Sequence, residues 1–225
     1  MSKMLASVNC LAEALTALAA GVDIIDLKQP AAGALGALAV ADIREIVTHI
    51  AGRCPISATI GDLSLQPEIV YPAVAEVATT GVDYIKIGFF PTGNPLAVLE
   101  SLRPLCDQGQ ALIAVMFADA QPDFALLPSL KHAGFTGVML DTQHKQTGSL
   151  VQLLSPATLS EFVTQAHSLN LISGLAGSLR LHDIPELNKL GADYLGFRGA
   201  LCQQQHRVNA LDPDAVNAVL RAVQA

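Results

Sequence analysis

No Cys-x-x-Cys pair, no His-Glu-x-x-His segment and no close histidine spacing occurs in this chain, although it holds four cysteines and six histidines. Cys10, Cys54, Cys106 and Cys202 lie far apart, which excludes a zinc finger or a disulfide framework and fits a reduced, cytoplasmic protein. No metal or organic cofactor motif is visible. Charge is also scarce: only 15% of residues are charged, and 13 basic against 20 acidic residues leave a net charge of -7. That balance argues against general affinity for nucleic acid or anionic membranes, while leaving room for a local basic pocket that takes a small phosphate. No apolar run reaches the ~18 residues needed to span a bilayer. The Ala- and Leu-rich first twenty residues look like a secretory leader, but Asn9, Cys10 and Glu13 interrupt them. They read instead as a strand ending near Val8 and a helix from about Leu11 to Ala20. Nor does any linker, charge block or low-complexity tract mark a second domain, so one domain over 1–225 is expected.

What the chain does have is apolar residues, 51% of 225, enough to bury a large core. A punctuation recurs along it: Gly21-Val22-Asp23, Gly81-Val82-Asp83, Gly191-Ala192-Asp193, and Gly134 after Ala133. Each Gly follows a helix-like stretch and precedes an apolar run, as a left-handed residue closing a helix does. The runs 4–8, 23–28, 56–61, 84–89, 111–118, 137–141, 171–176 and 194–198 read as eight strands. Nearly continuous apolar strands alternating with helices indicate a parallel sheet covered on both faces, and eight such units predict a closed (β/α)8 TIM barrel. An open doubly wound sheet is the alternative.

Barrel enzymes place their chemistry at the C-terminal ends of strands, and the polar residues gather there. Asp26 and Lys28 end the second strand, Thr59 and Asp62 the third, Lys86 lies in the fourth and Asp119 follows the fifth. Asp141 ends the sixth with Lys145 in the next loop, and Arg198 ends the eighth. Asp26 and Lys28 are two residues apart, so they share one face of a strand. A lysine in a core strand is either neutralised by a carboxylate or kept as a reactive amine. Two nearby lysines favour the second reading, because each cation depresses the other's pKa and helps supply an unprotonated nucleophile. The bland reading makes Lys28 and Asp26 a structural ion pair, and Asp62, Asp119 and Lys145 solvated loop residues. The histidines, His144 included, read as surface residues.

Glycines mark candidate phosphate loops. Gly174-Leu-Ala-Gly177-Ser178 follows strand seven and Gly196-Phe-Arg198-Gly199-Ala200 follows strand eight, where such barrels bind phosphate through backbone N–H groups. Arg198 is expected to add a bidentate contact. A further loop, Gly33 to Gly36 after Lys28, either holds a second anion or simply turns the chain.

The strings Asp23-Ile-Ile-Asp26-Leu-Lys28-Gln-Pro30-Ala-Ala-Gly33-Ala-Leu-Gly36, Ser57-Ala-Thr59-Ile-Gly61-Asp62, Asp83-Tyr84-Ile-Lys86-Ile-Gly88, Met139-Leu-Asp141-Thr142, Leu175-Ala-Gly177-Ser178 and Arg198-Gly199-Ala200 resemble the (5-formylfuran-3-yl)methyl phosphate synthase family of methanofuran biosynthesis. The resemblance covers nearly the whole chain, and the block around Lys28 is its most specific part. It implies a cytoplasmic barrel lyase that joins two glyceraldehyde 3-phosphate molecules into a furan aldehyde phosphate, losing one phosphate and two waters. It also implies that Lys28 forms the Schiff base and that Asp26, Lys86 and Lys145 belong to the active site; Asp141 is a further candidate for moving protons. The family tends to carry glycines soon after the strand-eight cysteine, where this chain has Gln203-Gln204-Gln205. Two other readings stand beside this one: a Schiff-base aldolase or triose-phosphate isomerase, and a non-catalytic sensor of phosphorylated metabolites. The high apolar content and low charge are compatible with a homo-oligomer.

Overall fold

Each apolar run expected as a strand forms one in the structure, a computed structural model that describes residues 2–144 and 147–225. The strands are β1 (Lys3–Val8), β2 (Ile24–Leu27), β3 (Ile56–Thr59), β4 (Tyr84–Phe89), β5 (Leu112–Phe117), β6 (Gly137–Asp141), β7 (Ile172–Leu175) and β8 (Tyr194–Phe197). They pair in chain order, all parallel, and β8 returns to β1. The sheet is therefore a closed (β/α)8 barrel rather than an open doubly wound one. Helices α1 (Leu11–Ala20), α2 (Val40–Ile50), α3 (Pro67–Ala78), α4 (Pro95–Asp107), α5 (Leu127–His132), α6 (Leu150–Leu153), α7 (Pro156–Ser168), α8 (Ile184–Asn188) and α9 (Pro213–Val223) alternate with them. Among the described residues, no helix is long and apolar enough to cross a membrane.

Local chemistry sets the element ends. Proline opens α3, α4, α7 and α9, where the first turn has no partner for the missing N–H. Gly21, Gly81, Gly134 and Gly191 follow helices with φ of 79°, 83°, 91° and 71°, the left-handed region that costs glycine least. Two residues after three of these glycines, an aspartate braces the neighbouring strand. Asp23 accepts the Met4 N–H at 2.7 Å, Asp83 the Ile56 N–H at 2.7 Å and Asp193 the Ser173 N–H at 2.7 Å. The repeated Gly-x-Asp thus ends a helix and ties the start of one strand to the next.

The barrel wall separates two hydrophobic clusters. Met4, Ala6, Val8, Ile25 and Leu27 face the helices, whereas Leu5, Ile24, Val115, Phe117, Met139 and Ala176 fill the barrel itself. That period of two explains why the strands are apolar on both faces. Inside the barrel, Met139 of β6 lies against Gly174 of the adjacent β7 and Gly196 of β8; a Cβ at these glycines would approach its side chain to 3.0 and 2.9 Å. Large and absent side chains are matched in that layer, and above it Ser7 stands beside Asp26 and Asp141 beside Phe117 in the sheet register.

Candidate active site

Asp26 is fully buried in β2, opposite Ser7 of β1 and Ser57 of β3 in the sheet register. Its Oδ2 accepts the Ser7 hydroxyl at 2.8 Å. Its Oδ1 accepts the Ser57 hydroxyl at 2.6 Å and the Lys86 ammonium at 2.9 Å. Burial by itself would raise this carboxyl's pKa, but the charges of Lys86 and Lys28 and the hydrogen bonds from Ser57 and Lys86 outweigh it, so the pKa lies below the ordinary carboxylate value. Asp26 is thereby favoured in its ionised form, as an anchor for Lys86 and the two serines.

Lys28 is the first residue past β2, and its backbone N–H holds the Val8 carbonyl at 3.0 Å. Its Nζ lies 3.6 Å from Asp141 Oδ2, and both residues are buried. This separation is an ion-pair distance, longer than a hydrogen bond. The other oxygen, Asp141 Oδ1, accepts the Thr142 N–H at 2.7 Å, which fixes its orientation. Two lysines and two carboxylates thus share the upper barrel in crossed pairs, Lys28 with Asp141 and Lys86 with Asp26. An isolated ion at such depth is costly, and pairing is what makes four tolerable.

A cavity of about 320 Å³ opens over this cluster, lined by Lys28, Lys86 and Asp141 below and by Ser178, Arg180 and Arg207 toward its mouth. Gly177, Ser178 and Gly199 also line it. Their backbone N–H groups donate to no protein acceptor among the described residues. Gly177 has φ of +114°, and a Cβ there would meet Thr142 at 2.8 Å, so this turn needs glycine; Ser178 follows with φ of +54°. These N–H groups are thus left without a protein acceptor in the loops that line the cavity.

Three expected positions are placed differently. Arg198 touches the cavity, but all five of its N–H donors are engaged. Nε bonds the Arg207 carbonyl at 2.7 Å, Nη1 the Ser7 carbonyl at 3.2 Å and Glu13 Oε2 at 2.5 Å, and Nη2 Glu13 Oε1 at 3.2 Å and the Asn209 carbonyl at 2.9 Å. With no donor left for an anion, it fastens the barrel instead of contacting phosphate. Gly33 and Gly36 form a turn whose anion position is already filled. Asp62 accepts the Ala34 and Leu35 N–H groups at 2.9 and 2.7 Å, and a Cβ on Gly33 would run into that carboxylate. Asp119 acts alike on the loop after β6, accepting the Gln143 and His144 N–H groups, both at 2.7 Å. Burial opposes its ionisation, but these bonds win and lower its pKa. Lys145 lies outside the described residues.

Glu13, Arg180 and Arg207 escaped sequence reasoning. Glu13 read only as an interruption of an apolar stretch, and the two arginines sit in loops without a strand-end signal. The glutamines after Cys202 adopt the conformation that favours glycine, with φ of +54° at Gln204 and +56° at Gln205. Gln205 Oε1 accepts Arg180 Nη1 at 3.0 Å, while Cys202 is buried with its thiol on the Arg198 carbonyl at 3.2 Å. Among the described residues, no three His, Cys, Asp or Glu side chains converge as metal ligands.

Comparison with known proteins shows the family to which the chain is similar. The family model described as 4-HFC-P synthase matches residues 4–220. A (5-formylfuran-3-yl)methyl phosphate synthase of Methanopyrus kandleri is 38% identical over 207 residues, covering 87% of each chain. That of Methanosarcina mazei is 36% identical over 211 residues, covering 89% of this chain and 90% of the relative. A Methylorubrum extorquens protein provisionally given the same name is 41% identical over 223 residues, 99% of this chain and 92% of its own. Among solved structures, phosphoribosyl anthranilate isomerase from Thermotoga maritima superposes with a TM-score of 0.70 at 13% identity, covering 100% of this chain and 99% of that one. A 3-hexulose-6-phosphate synthase gives 0.66 at 14%, covering 98% and 99%. At such identities the structural likeness concerns the barrel alone.

Proposed function

Because this chain belongs to the 4-HFC-P synthase family, we propose that it is a lyase condensing two glyceraldehyde 3-phosphate molecules into (5-formylfuran-3-yl)methyl phosphate through a Schiff base on Lys28, in methanofuran biosynthesis. Two trioses supply every atom of the furan, one phosphate and two waters, so the overall reaction requires no oxidant or reductant. The observation that carries the proposal is the pair of crossed lysine–carboxylate contacts in one cavity, Lys28 with Asp141 at 3.6 Å and Lys86 with Asp26 at 2.9 Å.

Lys28 attacks the carbonyl carbon of one triose as a neutral amine, and loss of water gives an iminium. The iminium withdraws electrons, an adjacent C–H is deprotonated, and the resulting enamine carbon bonds to the aldehyde carbon of the second triose. Asp141 carries protons between these steps, a role its 3.6 Å distance from the amine supports. Lys86, fixed by Asp26, presents a cation to developing oxyanion or phosphate charge. Phosphate is eliminated, a hydroxyl oxygen attacks the iminium carbon and the Lys28 amine is expelled as the ring closes, and loss of a second water completes the aromatic ring; Lys145 is a further candidate for those proton transfers. The free N–H groups of the loops after β7 and β8 suit one substrate phosphate.

Phosphorus and proton NMR of the protein with glyceraldehyde 3-phosphate alone tests the reading. Equal amounts of furan aldehyde phosphate and inorganic phosphate are expected. Dihydroxyacetone phosphate or a simple aldol as sole product would overturn it in favour of an isomerase or aldolase, and unchanged substrate in favour of a sensor.

A further inference from the structure

The proposed condensation brings two phosphates into one cavity, and the loops after β7 and β8 account for one of them. The other needs donors of its own. Arg198 is saturated, and Arg180 sits in the loop after β7 with its Nη1 on Gln205 of the loop after β8, on the wall that already serves the first phosphate. Arg207 is different. It is half-buried and lines the cavity together with Lys28 and Asp141. Its Nη2 donates to the Gly33 carbonyl at 2.8 Å, which ties the loop after β8 to the loop after Lys28. A guanidinium carries five N–H donors. Among the described residues no other acceptor engages those of Arg207, and no carboxylate pairs with it. Burial and the nearby Arg198 charge lower its pKa, while Asp141 and Asp62 act in the opposite sense. The group stays cationic, since an arginine does not lose its proton in a protein. A partly desolvated cation with a free fork, beside the lysine that meets the carbonyl, is a built position for a dianion.

We propose that Arg207 holds the second substrate phosphate, in an anion subsite on the Gly33 side of the cavity, and thereby selects phosphorylated over unphosphorylated aldehydes. This rests on the two-triose reading above, because only a reaction between two phosphorylated molecules needs two anion positions. The single bond to Gly33 orients the guanidinium and leaves the remaining edges for phosphate oxygens.

Titration calorimetry with inorganic phosphate tests the subsite without turnover. Wild-type protein should bind phosphate in two steps. In Arg207→Met one step should weaken by at least ~10-fold, as expected for loss of a charge-assisted bidentate contact, with the other step and the melting temperature retained. Arg207→Lys keeps charge and length but not the fork, and should lie between the two. Should Arg207→Met fail to fold, the lysine variant decides alone. Phosphate binding unchanged in either folded variant, or a single step in the wild type, would overturn the assignment. The two readings fail separately: absence of furan product with an intact Arg207-dependent step sinks the synthase reading, whereas furan production with unaltered titration in the variants sinks the subsite.

Discussion

Lys28 and Asp26 sit two residues apart on one strand, yet each finds its charge partner elsewhere: Lys28 in Asp141 of β6, Asp26 in Lys86 of β4. Replacing Lys28 by Arg keeps the cation next to Asp141 but removes the nucleophilic amine. Turnover should fall to background while the melting temperature shifts little, and borohydride reduction in the presence of glyceraldehyde 3-phosphate should label Lys28 in wild type only, read by peptide mass spectrometry. Asp26→Asn leaves Lys86 buried without its counter-charge and should destabilise the fold by ~3–5 kcal/mol in urea titrations. The pH dependence has a defined sign. The folded pKa of Asp26 is depressed, so its stabilisation is complete above the unfolded carboxyl value of ~3.9 and is lost as pH falls through the folded value. Acid unfolding below about pH 4 should therefore be less steep in Asp26→Asn than in wild type. The shared face of Asp26 and Lys28 was legible from the period of two in a strand. The exchange of partners was not, because Lys86 lies 60 residues from Asp26 and only barrel closure brings it to 2.9 Å.

Among elements, the recurring device is an aspartate that braces a neighbour. Asp23, Asp83 and Asp193 do so at the strand starts, and Asp62 and Asp119 do so for the loops after β2 and β6. The Gly-x-Asp punctuation was visible as helix closure. The role of its aspartate was not, because the acceptor serves an N–H on another strand. Asp83→Ala uncaps Ile56 and should cost ~1–3 kcal/mol, measured by urea unfolding. Asp62→Ala frees the Ala34 and Leu35 N–H groups and with them the loop that follows Lys28; amide hydrogen exchange at these two residues should accelerate and the kcat/KM for furan formation should drop, while global stability changes less than in Asp83→Ala. At the base of β7, Ser173, His167 and Asp193 lie within 2.9 to 3.0 Å of one another and resemble a catalytic triad. The same His167 Nε2 meets both partners and the Ser173 hydroxyl also reaches the carboxylate, so no relay runs through the ring. The cluster braces a strand end.

For the whole molecule, the decisive contact closes the circle. Arg198, just past β8, binds Glu13 of α1 through two bonds and the Ser7 carbonyl of β1, and Glu13 in turn accepts the Asn9 and Leu211 N–H groups. First and last units are thereby locked at the end of the barrel where the cavity opens. Arg198→Ala leaves a buried carboxylate unpaired and should lower stability by ~3–5 kcal/mol in urea unfolding. The cavity mouth should loosen with it, so phosphate affinity falls as a consequence of the lost closure. The sequence alone determined the eight strand–helix units, through apolar runs and helix-ending glycines, and it placed Asp26, Lys28 and Asp141 at strand ends and Lys86 within the fourth strand, because each of these signals acts within a few residues of chain. Tertiary structure alone decided that Lys28 faces Asp141, that Arg198 is a fastener, that Asp62 fills the Gly33 turn and that Arg207 reaches the Lys28 loop. Those outcomes depend on which donors and acceptors meet when β8 closes on β1, and a charge or a free N–H has no assigned partner until that geometry exists.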